Sequence, residues 1–246
     1  MATTARLTGR ETIWLVRGLS FVLGGLFAAL AGVVLTQLPW AAVWTGRLLW
    51  LLPAGAWLIV FGAGCLQRMA TPGLQVKVAA QRCLWLVLVT AFLSPFAYFW
   101  YRAPWHDYLT ANVLLLLICS VGLLLCLSKL ALRLGEFFQD ETLALVARIS
   151  GWLCHLAVVF PLAAVLLGIC IGSWREQLPL LGTVSHLLDN LSPLARAMAL
   201  APACFMAALL WTLKAVGLAQ IENLDKRDPP ARPTQAGPAM PADRNR

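Results

Sequence analysis

Two short stretches of the sequence place a histidine close to an aspartate. His106 directly precedes Asp107, and His186 stands three residues before Asp189. Imidazole nitrogens and carboxylate oxygens are both ligands of zinc in proteins, and a zinc ion with an open coordination position activates water for hydrolysis. These four residues are therefore the candidates for a metal site, and a membrane enzyme is one hypothesis for the protein.

The second pair has a simpler interpretation as part of an amphipathic helix. In residues 178–194, LPLLGTVSHLLDNLSPL, apolar residues recur at helical spacing, whereas His186, Asp189 and Asn190 fall on the opposite face. A helix of this kind lies on the membrane surface with its polar face in water. We therefore predict no metal ion, no cofactor, no catalytic residue and no enzymatic activity.

The remaining side chains that could do chemistry form no recognisable motif. His155 is the only histidine inside a long apolar run, so paired axial ligation of haem lacks a second ligand and a hydrogen-bonded interior residue is expected. The sequence contains no G-x-S-x-G, H-E-x-x-H, phosphate-binding loop or dinucleotide fingerprint. The cysteines lack metal-ligand spacing and are expected to be small buried apolar residues: Cys65, Cys83, Cys119, Cys126, Cys154, Cys170 and Cys204.

The composition indicates that lipid surrounds most of the chain. Hydrophobic residues make up 60% and charged residues 12% of the 246 residues, with a mean hydropathy of +0.77. Soluble proteins have roughly 45–50% apolar and about 25% charged residues. The net charge of +8 does not require nucleic acid as a partner, since basic residues beside membrane spans give the same excess.

Charge-free runs define the expected membrane spans. A helix needs about 20 residues to cross a hydrocarbon core of about 30 Å, and the sequence has six suitable runs. It therefore predicts an all-α integral membrane bundle with six transmembrane helices, preceded by a basic amphipathic segment at 1–17 and followed by a disordered, proline-rich cytoplasmic tail at 219–246. Within the transmembrane domain, 18–218, the predicted spans are 18–40, 48–67, 83–101, 109–128, 149–172 and 197–218.

The basic residues alternate between the two ends of these spans. Of the 19 Lys and Arg residues, 15 lie on one side of the predicted membrane and the other 4 on the opposite side. Because basic loops stay in the cytoplasm, this asymmetry predicts that both termini are cytoplasmic. We expect the protein in the cytoplasmic (inner) membrane of a bacterium, with the lipid bilayer as its main partner. The four outer basic residues are Arg47, Arg102, Arg175 and Arg196.

Aromatic residues are concentrated at one predicted outer turn, residues 97–109, AYFWYRAPWHDYL. Tryptophan and tyrosine favour the head-group region of a bilayer. The turn is therefore expected to anchor the protein in the outer surface of the membrane. A binding site for an aromatic ligand is the alternative.

The N-terminal region has two interpretations. Residues 18–28 are apolar, and Ala29-Leu30-Ala31 has the small-x-small form that signal peptidase recognises, so that residues 1–31 would be a cleaved signal. However, the apolar run continues to Trp40, which favours a retained first span.

Small residues and prolines in the spans suggest how the helices pack. In the first span, small residues at four-residue spacing predict a stripe along which another helix approaches closely: Ser20, Gly24, Ala28 and Gly32. The alternative is that glycine and alanine are simply common in membrane helices. Prolines interrupt four spans, and broken helices either improve packing or line a transport pathway: Pro53, Pro95, Pro161 and Pro202.

An acidic turn separates the predicted fourth and fifth spans. Glu136, Asp140 and Glu141 lie here, and Gly135 is expected to end the preceding helix. Asp140 is a good N-cap for the next helix, whose first turn would hold Glu141 next to the positive end of the helix dipole. Water reaches this turn, so the carboxylates need no catalytic role, although an acidic docking site for a partner is an alternative.

This turn carries the only resemblance to a known family. The residues G-E-F-F at 135–138, then Glu141, Leu145 and Ile149-Ser150-Gly151, resemble the cytoplasmic turn of small bacterial multi-pass membrane proteins of unknown function. In that family, a glycine and a buried phenylalanine precede a capped helix. The resemblance is confined to residues 135–151 and, because the family has no assigned activity, it implies no site residues.

The lack of acidic residues and arginine inside the predicted spans bears most directly on function. Proton- and sodium-coupled carriers usually need intramembrane carboxylates. We therefore expect a non-enzymatic membrane component that assembles with or regulates a membrane-protein partner, or forms a homo-oligomer, and that binds no nucleic acid. The alternatives are a small permease or channel, and a membrane enzyme with an outer-face His/Asp metal site.

Overall fold

A computed structural model of the chain describes residues 9–36, 44–69, 74–103, 106–138, 141–156 and 193–227. Within these ranges the regular secondary structure is helical, without strands, so the predicted all-α architecture is confirmed there. The helices in chain order are α1 (Gly9–Thr36), α2 (Thr45–Leu48), α3 (Leu51–Gln67), α4 (Leu74–Leu93), α5 (Pro95–Arg102), α6 (Asp107–Phe138), α7 (Glu141–Cys154) and α8 (Pro193–Arg227).

Five helical stretches in the described part of the chain are long and apolar enough to cross a bilayer, which indicates a multi-pass membrane protein. They correspond to the first, second, third, fourth and sixth predicted spans. The predicted fifth span, 149–172, lies outside the described residues after position 156. The five stretches are Gly9–Thr36, Thr45–Gln67, Val76–Arg102, Asp107–Phe138 and Leu200–Ala219.

The centre of the bundle is a close contact between the backbones of α1 and α3. A Cβ atom built on Gly55 of α3 would lie 2.6 Å from the carbonyl oxygen of Gly25 in α1. A Cβ atom built on Gly62 would likewise lie 2.7 Å from the carbonyl oxygen of Gly18. Real side chains do not approach backbone atoms this closely, so the two helices pack at a distance that only glycine permits at these positions.

The glycines of α1 at this contact recur every seven residues, at Gly18, Gly25 and Gly32. The predicted four-residue stripe was therefore wrong in part: Gly32 lies at the contact, but Gly24 is exposed and a Cβ atom there would meet nothing within 4 Å. Seven residues are nearly two full turns and return a residue to the same face, whereas each four-residue step moves about 40° around the helix.

Three further glycines lie at helix contacts elsewhere in the bundle. Gly217 of α8 faces Val16 of α1, where an added Cβ atom would lie 3.2 Å from Cγ2, and Gly122 of α6 faces Leu86 of α4. Gly135 was expected to end the fourth helix, but α6 continues through it to Phe138. Its role is instead to let α7 approach, since a Cβ atom at Gly135 would lie 3.1 Å from the Ala144 backbone nitrogen.

The start of α7 and the end of α8 can be compared with the predicted helix boundaries. The predicted N-cap Asp140 lies outside the described residues, and α7 begins at Glu141. Helix α8 continues to Arg227 and so includes residues 219–227, which were assigned to the tail. The sequence IENLDKR favours this extension because it contains good helix formers and ends with two basic residues at the negative end of the helix dipole. Residues 228–246 lie outside the described part.

Adjacent glycines of α1 provide a matched test of the α1–α3 contact. Gly25→Ala should lower the stability of the bundle by about 1–3 kcal/mol, because its methyl group would collide with the Gly55 carbonyl and with Ile59. Gly24→Ala should be neutral or stabilise by roughly 0.5–1 kcal/mol, since alanine favours the helix and the position is open. Thermal unfolding of the two variants in the same detergent measures the difference, and equal midpoints would contradict the packing described here.

Candidate functional site

The first candidate metal pair lies at the start of α6. His106 and Asp107 are both exposed. The His106 carbonyl accepts hydrogen bonds from the Thr110 backbone nitrogen at 3.0 Å and from the Thr110 hydroxyl at 3.2 Å, so this residue begins the helical hydrogen-bond pattern. Asp107 stands in the first turn, where its charge complements the helix dipole. Both residues thus have structural roles at the helix start.

The second candidate pair, His186 and Asp189, lies outside the described residues. Whether it approaches His106 and Asp107 therefore stays a prediction from the sequence. Among the residues that the structure does describe, no group of three or more histidines, cysteines, aspartates or glutamates is placed to hold a metal ion.

A hydrogen bond between side chains connects the short helix α5 to α6. The indole nitrogen of Trp100 donates to the hydroxyl of Thr110 at 3.1 Å. Phe96 and Tyr108 add an edge-to-face ring contact with centroids 6.0 Å apart. These contacts join α5 to the start of α6, with the aromatic rings at one end of the two helices.

Tyr98 joins this junction to the start of the second span. Its ring lies 5.6 Å from that of Trp50, and a Cβ atom at Gly46 would lie 3.4 Å from its Cε2 atom. Arg102 donates a hydrogen bond to the Tyr98 hydroxyl at 3.2 Å, and its guanidinium carbon lies 5.6 Å from the ring centroid. Arg47 similarly lies 4.9 Å from the centroid of the Trp44 ring. We call these residues, with Trp100, the aromatic cluster.

The aromatic cluster has the chemistry of a membrane anchor. Its rings suit the head-group region, and its guanidinium groups combine stacking on aromatic rings with an exposed positive charge that attracts lipid phosphates. The described part of the cluster contains neither a nucleophile nor a general base beside a reactive partner.

His155, at the end of the described part of α7, makes a local contact. Its Nδ1 atom lies 2.8 Å from the carbonyl oxygen of Gly151, one turn earlier in the chain. The predicted hydrogen bond is therefore present. The side chain is exposed among the described residues, so its expected interior location is not shown.

The sequence analysis missed a pair of thiols in neighbouring helices. Cys83 of α4 and Cys126 of α6 lie close to each other. A signal for this pair was present, because both cysteines lie near the same end of antiparallel predicted spans, one beside Arg82 and the other three residues before Lys129. The equal depth of the two cysteines in the predicted membrane does not by itself show that their side chains face each other.

Comparison with known proteins gives no relative from which a site can be transferred. No protein-family model, curated protein or solved structure matches the chain. The function must be argued from the residues of this chain.

The bond between Trp100 and Thr110 can be tested by paired substitutions. Trp100→Phe keeps the ring but removes the donor, and Thr110→Val removes the acceptor at nearly constant size, so each should lower stability by about 0.5–1.5 kcal/mol. The double variant should lose clearly less than the sum of the two single losses, because both remove the same bond. Trp85→Phe, at an exposed tryptophan of α4, serves as the control, and a purely additive result in thermal unfolding would contradict the coupling.

Proposed function

We propose that this protein is a non-enzymatic component of a bacterial cytoplasmic membrane that assembles with, or regulates, a membrane-protein partner. The main support is the kind of interior that its described helices form. That interior is built by close backbone packing at glycines and by leucine, valine and alanine side chains. An interior of this kind makes a rigid body for recognition.

Buried hydroxyl groups in the third span bond within their own helix. Thr90 donates to the Leu86 carbonyl at 2.8 Å, and Ser94 donates to the Ala91 carbonyl at 2.8 Å. Such bonds satisfy the hydroxyl without leaving it available for a substrate. The hydroxyl of Ser150 in α7 is buried and has no hydrogen-bond partner among the described residues. Ser150 lies near the end of the described segment 141–156.

The proline break in the third span also favours packing over a transport pathway. Helix α4 ends at Leu93 and α5 begins at Pro95, as expected where proline removes a donor. The backbone remains bonded across the break, since Ser94 N donates to the Thr90 carbonyl at 2.9 Å and Ala97 N donates to the Ser94 carbonyl at 3.2 Å. Broken helices of transporters instead expose unwound backbone to an ion or a substrate. The permease hypothesis is therefore the weaker one.

The proposal includes six spans with both termini in the cytoplasm. The five described spans, together with the charge-free run from Ile149 to Trp174, give the even number that the alternating basic residues require. In this topology, α6 begins at the outer surface and its last two turns, with the exposed ion pair Arg133–Glu136 at 2.8 Å, project into the cytoplasm.

The two ends of α6 allow the topology to be tested on a single helix. Asp107→Cys should react with a membrane-impermeant maleimide added to intact cells, whereas Glu136→Cys should react only after the membrane is permeabilised. Both positions are exposed, so each substitution should leave the bundle intact. The unmodified chain, with its native cysteines, sets the background. Labelling in the reverse order would contradict the proposed orientation.

The proposed partner role predicts a stoichiometric companion. The tagged chain, extracted from its native membrane in mild detergent, should co-purify with one other membrane protein, and this companion should be retained by Gly24→Ala but reduced by Gly25→Ala, which disturbs the α1–α3 contact. Quantitative mass spectrometry of the purified material measures the ratio. A clean monomer without a companion in all three preparations would overturn the proposal, and a second copy of the chain would identify a homo-oligomer.

A further inference from the structure

Two arginines of the aromatic cluster lie at the same ends of two candidate membrane spans. Arg102 is the last residue of the stretch Val76–Arg102, and Arg47 lies near the start of the stretch Thr45–Gln67. Tyr98 connects them. Its hydroxyl accepts the hydrogen bond from Arg102 at 3.2 Å, and its Cε2 atom would lie 3.4 Å from a Cβ atom at Gly46, the residue before Arg47. Both arginines therefore belong to one boundary of the membrane.

The two guanidinium groups are stacked on rings but are not neutralised by the protein. The guanidinium carbon of Arg47 lies 4.9 Å from the centroid of the Trp44 ring, and that of Arg102 lies 5.6 Å from the centroid of the Tyr98 ring. Stacking covers a flat face of a guanidinium and leaves the N–H donors along its edge available. Both side chains are exposed, and among the described residues neither forms an ion pair with a carboxylate, Asp107 included.

A phosphodiester is the anion whose shape and location suit these donors. Its oxygens accept two parallel hydrogen bonds from a guanidinium fork, and phospholipid head groups place it at the membrane boundary. A zwitterionic lipid carries its own cationic group, which two arginines repel, so an anionic phospholipid is favoured.

The rings beside the arginines favour a lipid over a soluble phosphate. Trp44 and Trp50 are each 51% exposed, and tryptophan favours the boundary between head groups and acyl chains. Exposed rings next to two positive charges therefore offer apolar contact to the part of a phospholipid that a soluble phosphate lacks.

We propose that Arg47 and Arg102 form a binding site for the phosphodiester of one anionic phospholipid, with Tyr98 orienting Arg102. The lipid would join the start of the second span to the end of the third span. Such a site differs from a general head-group anchor because it distinguishes lipids by charge and depends on the orientation of a guanidinium. It requires neither the partner role nor the orientation proposed above.

The test is a lipid titration of the full chain, purified without lipid in a neutral detergent. A ligand that binds only the folded state raises the midpoint of thermal unfolding. Phosphatidylglycerol should raise this midpoint and phosphatidylcholine should have little effect. Inorganic phosphate at the same concentration should not reproduce the shift, and native mass spectrometry should show one tightly retained phosphatidylglycerol per chain.

Substitutions separate an oriented site from general charge attraction. Arg47→Gln and Arg102→Gln should each weaken the apparent affinity by roughly fivefold, the factor expected for one basic residue at an anionic membrane surface. Arg102→Lys keeps the charge but loses the flat fork, so it should also weaken binding. Tyr98→Phe keeps the ring and the charge but removes the hydroxyl, and should cause a smaller loss than Arg102→Gln.

Arg68 provides a matched control at the other end of α3. Its side chain is exposed, and its guanidinium carbon lies 5.3 Å from the centroid of the Trp14 ring, so it is another arginine stacked on a tryptophan. It follows the last residue of α3, far along the helix from the aromatic cluster. Arg68→Gln should therefore leave the affinity for phosphatidylglycerol unchanged.

Any of four results would overturn the proposal. They are equal stabilisation by phosphatidylglycerol and phosphatidylcholine, unchanged affinity in both glutamine variants of the site, an equal loss in Arg68→Gln, and equal stabilisation by inorganic phosphate, which would identify a soluble anion as the ligand. Arg102→Lys and Tyr98→Phe keep the test decisive if a glutamine variant fails to fold. Absence of a companion protein would not alter the lipid titration, so the two proposals fail separately.

Discussion

The approach of α1 to α3 is the contact on which the rest of the bundle depends. In lipid, side chains gain little by leaving their solvent, so helices associate through close packing and hydrogen bonds rather than through the hydrophobic effect. Glycines at Gly18, Gly25, Gly55 and Gly62 bring whole backbones into contact and so maximise dispersion along the shared line. The remaining helices are placed relative to this pair, since α8 packs on α1 and α4 on α3.

The sequence predicted which segments enter the membrane because that decision depends on composition along the chain. It predicted helix rotation poorly, because the face that a helix presents depends on its neighbours. Gly24 and Gly25 are adjacent and chemically identical, yet one is exposed and the other touches the backbone of α3. The same limitation explains Gly135, where a residue expected to end a helix serves as a contact surface for α7.

The same limitation applies to the pair Cys83 and Cys126. The depth of a residue in the membrane can be predicted from the sequence, but the direction in which its side chain faces cannot. The depths of Cys83 and Cys126 could be predicted from their positions beside Arg82 and Lys129. Their mutual contact required the register of α4 against α6, which is set by contacts such as Gly122 with Leu86. The aromatic turn at residues 97–109 was predicted as an anchor from composition, whereas the bond from Trp100 to Thr110 depends on the angle between two helices.

Among the described residues, Glu11 of α1 is buried, but several other charged or strongly polar side chains are exposed at helix ends. His106, Asp107 and the pair Arg133–Glu136 are exposed at helix ends, because a charge at the bilayer centre costs about 2.5–3.5 kcal/mol on insertion scales. Sulfur is different, since a thiol is only weakly polar and is tolerated in an apolar interior. A membrane protein that packs its helices through glycine can therefore carry reactive groups at a helix interface most readily as cysteine. Cys83 and Cys126 are an example, since both lie in the packed interior between α4 and α6.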